Sequence, residues 1–224
     1  MTTTLPLTTI SFPEIRLPQR AAAQLRGYFG NVFQEHSPLL HNHYDDGRLR
    51  YGYPLVQYKV VGGMPMLLGL MDGARLLTEL FFRMKTLQIG GRSYPVMERD
   101  IEFRNAPVGI GEGLHDYRFR TLWMPLNQQN YPEYQQKDND ERRAMLGRIL
   151  TGNMLSFFKG IGLFLPEGVR ILTTVRPQEE RLTGFKDQLM TGIGGGFTTN
   201  VLLPDFIGLG KSVSRGYGAV EKDG

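Results

Sequence analysis

Apolar positions along the chain alternate, switch to helical spacing, and then repeat the change. Ile10, Phe12, Ile15 and Leu17 alternate loosely and predict a strand over Thr8–Leu17. Pro18 then opens a helix. Ala21, Ala22, Leu25, Phe29, Val32 and Phe33 recur at helical spacing there, while Arg20, Gln24 and Arg26 fall mostly off that stripe. A loop rich in His, Asn, Asp and Gly runs from His36 to Gly52. Beyond it, the apolar runs Tyr53–Val61 and Met64–Leu70 flank Gly62-Gly63, a dipeptide suited to a tight hairpin turn. Asp72 is placed to cap a second helix, with Leu76, Leu77, Leu80, Phe81 and Met84 on one face. Gly90-Gly91 punctuates a further strand pair ending near Asn105.

Strand, helix, hairpin, helix, strand is the βαββαβ order of a ferredoxin-like, or RRM-like, α+β domain, an antiparallel sheet with two helices on one face. Ala106–Gly113, with Pro107 and three glycines, reads as a linker. A second round follows. Tyr117–Leu122 is a strand, and a helix runs from about Asp140 to Phe158 with Asp138 and Glu141 at capping-box spacing. Val169–Val175, Leu182–Leu189 and Phe197–Leu203 are later strands, interrupted by the glycine-rich run Thr191–Gly196. The predicted organisation is therefore tandem: residues 1–106 form an N-terminal domain and residues 113–224 a C-terminal domain.

Composition narrows the function. The 224 residues contain no cysteine, which excludes disulfides and thiolate metal sites. The longest apolar runs fall far short of the roughly 18 to 20 residues of a membrane-spanning helix. Met1–Pro6 has neither a basic region nor an apolar core of export length, so a cytoplasmic protein with no membrane partner is expected. The net charge of +4 and pI near 9.3 are compatible with a polyanionic partner without specifying one.

Two constellations carry candidate chemistry. The segment Gly208-Leu209-Gly210-Lys211-Ser212-Val213-Ser214-Arg215-Gly216-Tyr217-Gly218 has four glycines, two serine hydroxyls and two cations, and no carboxylate. Glycines let backbone N–H groups approach a phosphate, and Lys211 and Arg215 add charge-assisted hydrogen bonds. A tight glycine turn with solvated cations is the alternative. Gly210-Lys211-Ser212 resembles the end of a nucleotide-binding P-loop, but Asp205 stands where that motif requires glycine.

The second constellation is His41-Asn42-His43-Tyr44, with His36 upstream. Imidazoles titrating near pH 6.5 can work as a base and an acid together, as RNA cleavage by internal transesterification requires. On an extended segment His41 and His43 share one side about 6.6 Å apart, a spacing that flanks one phosphate. Two further readings stay open: surface loop histidines, or a metal site completed by Asp45 or Asp46. Tyr51, Tyr53 and Tyr58 interleave with Arg48, Arg50 and Lys59 in a pattern suited to stacking bases and pairing phosphates, or equally to a core. His115 and Trp123 read as structural.

The glycine-rich tail resembles the C-terminal signature of the RAMP superfamily. Together with Leu25-Arg26-Gly27-Tyr28-Phe29-Gly30, Leu40-His41-Asn42-His43, Tyr53-Pro54-Leu55-Val56-Gln57-Tyr58-Lys59 and Ile149-Leu150-Thr151-Gly152-Asn153-Met154-Leu155-Ser156, it makes the chain similar to the b-type branch of the Cas-six family, the CRISPR repeat-processing endoribonucleases. That resemblance implies tandem ferredoxin-like domains with a C-terminal glycine-rich loop. It implies metal-independent cleavage of CRISPR precursor RNA within the repeat by 2'-hydroxyl attack, without a cofactor, leaving 5'-hydroxyl and 2',3'-cyclic phosphate ends. Catalysis would fall on His41 and His43, with Tyr44, Tyr53 and Lys59 as secondary candidates. RNA would be held by Gly208, Gly210, Lys211, Ser212, Ser214, Arg215 and Gly216. The implied partners are CRISPR repeat RNA and a CRISPR effector complex, with the protein a monomer or homodimer. The alternative within the superfamily is a non-catalytic RNA-binding subunit of such a complex.

Overall fold

The structure is a computed structural model and describes residues 2–33, 52–185 and 188–223. The chain divides into two compact units. The first comprises Thr4–Ala106 together with Val213–Gly216. Its elements are β1 (Thr2–Ser11), α1 (Ala22–Val32), β2 (Val56–Val61), β3 (Met64–Leu70), α2 (Asp72–Leu80), the hairpin β4 (Thr86–Ile89) and β5 (Arg92–Pro95), and the start of β6 (Asp100–Phe119). The strand order β2-β3-β1-β6 is the ferredoxin-like one, with the first and third strands paired centrally.

Local chemistry explains most of these boundaries. Gly62 and Gly63 turn β2 into β3, and the register Val61↔Met64 to Val56↔Gly69 puts Tyr58 opposite Leu67. Side chains alternate across a strand, so Val56, Tyr58 and Val60 point to one face with Ile10 and Leu67. There they meet Leu25 and Phe29 of α1 and Leu76, Leu77 and Leu80 of α2. Each such fully buried side chain contributes roughly 1.5–3 kcal/mol.

Three expectations for this unit need correction. β1 starts and ends earlier than Thr8–Leu17, because the chain leaves the sheet in a turn closed by Ile15 N–H on Phe12 O, while Ile15 and Leu17 stay buried through loop packing. Asp72 does not cap α2. Met71, at φ 52°, occupies that position, and Asp72 sits in the first turn, where its charge suits the helix dipole. Met84 is buried but lies beyond α2, after the 3₁₀ turn Phe81–Arg83.

The second unit is built from Pro107–Ser212 and Tyr217–Gly224, with Met1–Thr3. It holds the rest of β6, then α3 (Tyr131–Gln136), α4 (Asn139–Gly160), β7 (Thr173–Phe185), β8 (Gln188–Leu202) and β9 (Val220–Lys222). Its order, β9-β6-β8-β7, is the same ferredoxin-like order, with α4 as its long helix. The capping box forms: Asp138 accepts from the N–H groups of Asp140 and Glu141, and Glu141 accepts from Asp138 N–H at 3.0 Å. Leu146, Leu150, Met154 and Phe157 of α4 are buried in this unit, as are Val108, Tyr117, Trp123, Val175 and Phe197. Trp123 is structural as expected, stacked on Phe119 at 5.2 Å and donating its indole N–H to Asn153 at 2.9 Å.

Here too the glycines mislead. Ala106–Gly113 is not a linker but the middle of β6, where Gly109 pairs with Leu202 and Ile110 with Val201 before a bulge resets the register at His115. Thr191–Gly196 likewise lies inside β8, paired residue by residue with β7, and the three predicted late strands are these two long ones. Ladder hydrogen bonds to neighbouring strands outweigh the weak intrinsic preference of glycine against strand.

Candidate functional site

Lys59 is the most unusual side chain of the first unit. β2 is buried along its whole length, so while Tyr58 enters the helix-covered core, Lys59 points to the opposite face, level with Met66 of β3. Its side chain is fully buried, and among the described residues Nζ has no hydrogen-bond partner. Enclosing an ammonium without a counter-charge favours the neutral amine, and burial lowers the Lys59 pKa to about 7.

The far end of the chain comes to the same strand. The 3₁₀ turn Val213–Arg215 leads into Gly216, at φ 91°. A Cβ there would lie 2.6 Å from Ala22 Cβ, 3.1 Å from Tyr58 O and 3.5 Å from Lys59 Cα. Only glycine allows the chain to lie this close to α1 and β2. Arg215 thereby joins Arg26 of α1. The Arg26 guanidinium is held below its usual pKa by burial and then by the positive charge of Arg215, while burial pushes the Tyr58 phenol up against the pull of Arg26. Gly216 and Arg215 thus lie beside Ala22 and Arg26 of α1 against the backbone of the edge strand β2, while the Lys59 side chain is buried on the other face of the sheet.

The other residues of the glycine-rich segment belong to the second unit. Leu209 N–H donates to Gly218 O and Gly218 N–H to Leu122 O, both at 2.9 Å, which closes the base of the segment. Gly218, at φ 66°, approaches so closely that a Cβ would stand 2.0 Å from Leu209 O. Gly208 bridges to Ala219, and Gly210 packs beside the Trp123 indole. Lys211 is exposed, with its pKa lowered by partial burial, and Ser212 takes a left-handed conformation at φ 59°. The sequence candidates therefore fall into two groups: Ser214, Arg215 and Gly216 with Lys59 in one unit, and Gly208, Gly210, Lys211 and Ser212 in the other.

His41, His43 and Tyr44 lie outside the described residues, as do Tyr51, Arg48 and Arg50. Tyr53 precedes β2, and its hydroxyl accepts a hydrogen bond from Gln57 Nε2 at 3.0 Å. Tyr58 is no platform for bases: it is fully buried and stacked on Phe29 at 5.8 Å. In the sequence, only its place off the apolar stripe of α1 signals Arg26 as a site residue. Among the described residues, no three His, Asp or Glu side chains gather as for a metal. Among them, too, no helix is long and apolar enough to cross a membrane.

Two family patterns match this chain consecutively. Residues 3–106 match the Cas6b N-terminal domain and residues 109–223 the Cas6b C-terminal domain. The chain belongs to the Cas6b family. A crystal structure of Cas6b is similar at 32% identity, with a TM-score of 0.92 over 99% of this chain and 100% of that one. A second Cas6b structure, described as a CRISPR RNA processing endoribonuclease, is similar at 28% identity and a TM-score of 0.78, with the same coverage. An uncharacterized protein of Methanocaldococcus jannaschii, MJ0978, is 29% identical over 142 residues, 63% of this chain and 95% of that protein. These Cas6b likenesses agree with the tandem ferredoxin-like fold and with a CRISPR repeat-processing family.

Proposed function

We propose that the protein is an endoribonuclease that cuts CRISPR repeat RNA without a metal, using the substrate's own 2'-hydroxyl. The observation that carries this reading is the seating of Gly216 against Ala22, Tyr58 O and the Lys59 backbone with Arg215 beside Arg26, which brings the Tyr-Pro-Leu-Val-Gln-Tyr-Lys strand, α1 and the glycine-rich tail together around two guanidinium groups. The Cas6b relative described as a CRISPR RNA processing endoribonuclease supports the substrate class.

In this mechanism one imidazole of the His41/His43 pair takes the proton of the ribose 2'-hydroxyl as that oxygen attacks the adjacent phosphorus. The bond from phosphorus to the 5' oxygen breaks, and the other imidazole donates a proton to the departing oxygen. The products are a 2',3'-cyclic phosphate and a 5'-hydroxyl. Positive charge from Arg26 and Arg215 offsets the charge that builds on the non-bridging oxygens. Lys59, poised near neutrality, is a third group able to hold or release a proton. Its Nζ is enclosed in the free protein, so its test has to separate a chemical role from a positioning one. Lys211, Ser212, Ser214 and the glycines grip the RNA backbone.

The deciding assay incubates the purified protein with repeat RNA in EDTA, beside the same RNA carrying one 2'-deoxy substitution at the cut site. Cleavage of the first substrate alone is expected. Binding without cleavage would replace the proposal with a non-catalytic RNA-binding subunit. Activity lost in EDTA and restored by a divalent ion would replace it with metal-dependent cleavage.

A further inference from the structure

A groove of about 620 Å³ runs along the second unit between α4 and the start of β7, and none of the site residues assigned above lines it. Arg143, Gly147, Arg148 and Thr151 line it from the helix, and Leu172, Thr173 and Thr174 from the strand side. No carboxylate lines it. Gly147 brings the strand close, since a Cβ there would already touch Thr173 O at 3.5 Å. The opposite wall is fixed: Thr151 donates to the Thr173 hydroxyl at 3.1 Å. Asn200 accepts from Leu172 N–H at 2.8 Å and donates to Arg170 O at 3.1 Å.

The arginines of α4 differ in their engagement. Arg142 is tied down, donating to the carbonyls of Tyr134 and Gln135 and lying 5.0 Å over the Tyr134 ring. Among the described residues, Arg143 pairs only with the highly exposed Asp140 at 3.5 Å, a pairing of the weak surface kind. Arg148 is exposed, and among the described residues no carboxylate pairs with it. From Arg143 to Thr151 the helix rises about 12 Å, longer than a single phosphate. Guanidinium forks and hydroxyls at such spacing suit the phosphate oxygens of a sugar-phosphate backbone. No aromatic side chain lines the groove, so it offers no stacking platform on which to read bases.

We infer that this groove is a second RNA-binding site, in which Arg143 and Arg148 hold the sugar-phosphate backbone of a repeat segment beyond the cut, without reading its sequence. The inference rests on the reading of the protein as an RNA-processing enzyme, but it needs only RNA binding and not cleavage.

The test measures affinity for two RNAs, the whole repeat and a short fragment around the cut, over a series of salt concentrations. Wild type, R143A/R148A, the charge reversal R148E, and R75A as a surface control in the other unit are compared. The expected result is a whole-repeat affinity about tenfold weaker in R143A/R148A, a larger loss in R148E, and a salt slope shallower by about 0.7 for each lost contact to single-stranded RNA. The preference of wild type for the longer RNA should shrink in the same variants, and R75A should match wild type. Both arginines are exposed, and unchanged melting temperatures confirm folding. Unchanged affinity and salt slope would overturn the inference. So would unchanged RNA affinity with lost binding of poly-glutamate, which would assign the groove to an acidic protein partner. A wild-type protein that binds RNA but never cuts it would sink the endoribonuclease reading and leave the groove to stand or fall on these affinities. One that binds no RNA would sink both.

Discussion

The two units share one strand order and differ in what fills the second crossover. In the first, α2 joins β3 to the later strands and, with α1, covers one face of the sheet in a continuous apolar core. In the second, α4 covers the sheet, but the chain between β8 and β9 forms no α-helix. It is the glycine-rich segment, whose residues Val213–Gly216 belong to the first unit. A helix spends its backbone hydrogen bonds on itself. Releasing one crossover from that role lets the chain make the close approaches of Gly216 to α1 and β2 and of Gly218 to Leu209, with its base closed by hydrogen bonds to Leu122 and Gly218. The lesson is one of labour divided over a duplicated frame: the first unit, in this proposal, holds proton-transfer chemistry, and the irregular crossover holds the grip.

That division breaks first at the histidines. His41→Ala and His43→Ala should each slow single-turnover cleavage by roughly 10² to 10⁴, with RNA affinity nearly intact. Equal losses in binding and rate would move the pair from chemistry to grip. Next is the base of the crossover. Gly218→Val places a side chain where a Cβ already stands 2.0 Å from Leu209 O, in a backbone region that β-branched residues avoid. A stability loss of roughly 3 kcal/mol or more is expected, read by chemical denaturation. A smaller effect would show that the segment closes without this approach.

Lys59 sharpens the contrast through pH. Its folded pKa of about 7 lies below the ordinary lysine value of 10.5, so the unfolded chain binds more protons across that window. Wild-type stability should therefore rise as pH goes from about 7 to about 10.5. Lys59→Met should flatten that rise and be the more stable protein at pH 7 and below, with the advantage fading toward pH 10.5. Thermal melts over this range check it, and a wild type whose melting temperature is flat would refute an uncharged, unpartnered lysine. A pH profile of cleavage in Lys59→Arg then separates chemistry from positioning: a shifted profile marks proton exchange, and a uniform drop marks positioning. The smallest effect is expected from Lys211→Ala and Arg215→Ala, each weakening RNA binding by about tenfold and reducing the salt slope by about 0.7. Filter binding across salt reads both.

Much of the frame could be read from residue order. Gly62-Gly63 announced β3 at Met64–Leu70 to the residue, and Asp138 with Glu141 announced α4, because turn and cap chemistry act over a few neighbouring positions. β6 and β8 could not be read through their glycines. Their pairing is with strands far away in the chain, and residues such as Gly109 and Gly195 are strand because Leu202 and Pro177 stand opposite them. Tyr58 shows the same limit in a side chain. Alternation made it a candidate for either face, and only the seating of α1 over β2 put it against Phe29 in the core and turned Lys59 the other way.

What followed from the amino-acid order alone was the doubled βαββαβ pattern, the family, and the residue types able to do phosphate chemistry. These depend on local spacing and composition, which folding does not alter. What waited for the fold was company: Gly216 against Ala22 and Lys59, Arg215 beside Arg26, Arg143 and Arg148 along one groove. The burial that moves a lysine toward neutrality, and the convergence that makes cations a site, are properties of distance in space, and packing alone sets that distance.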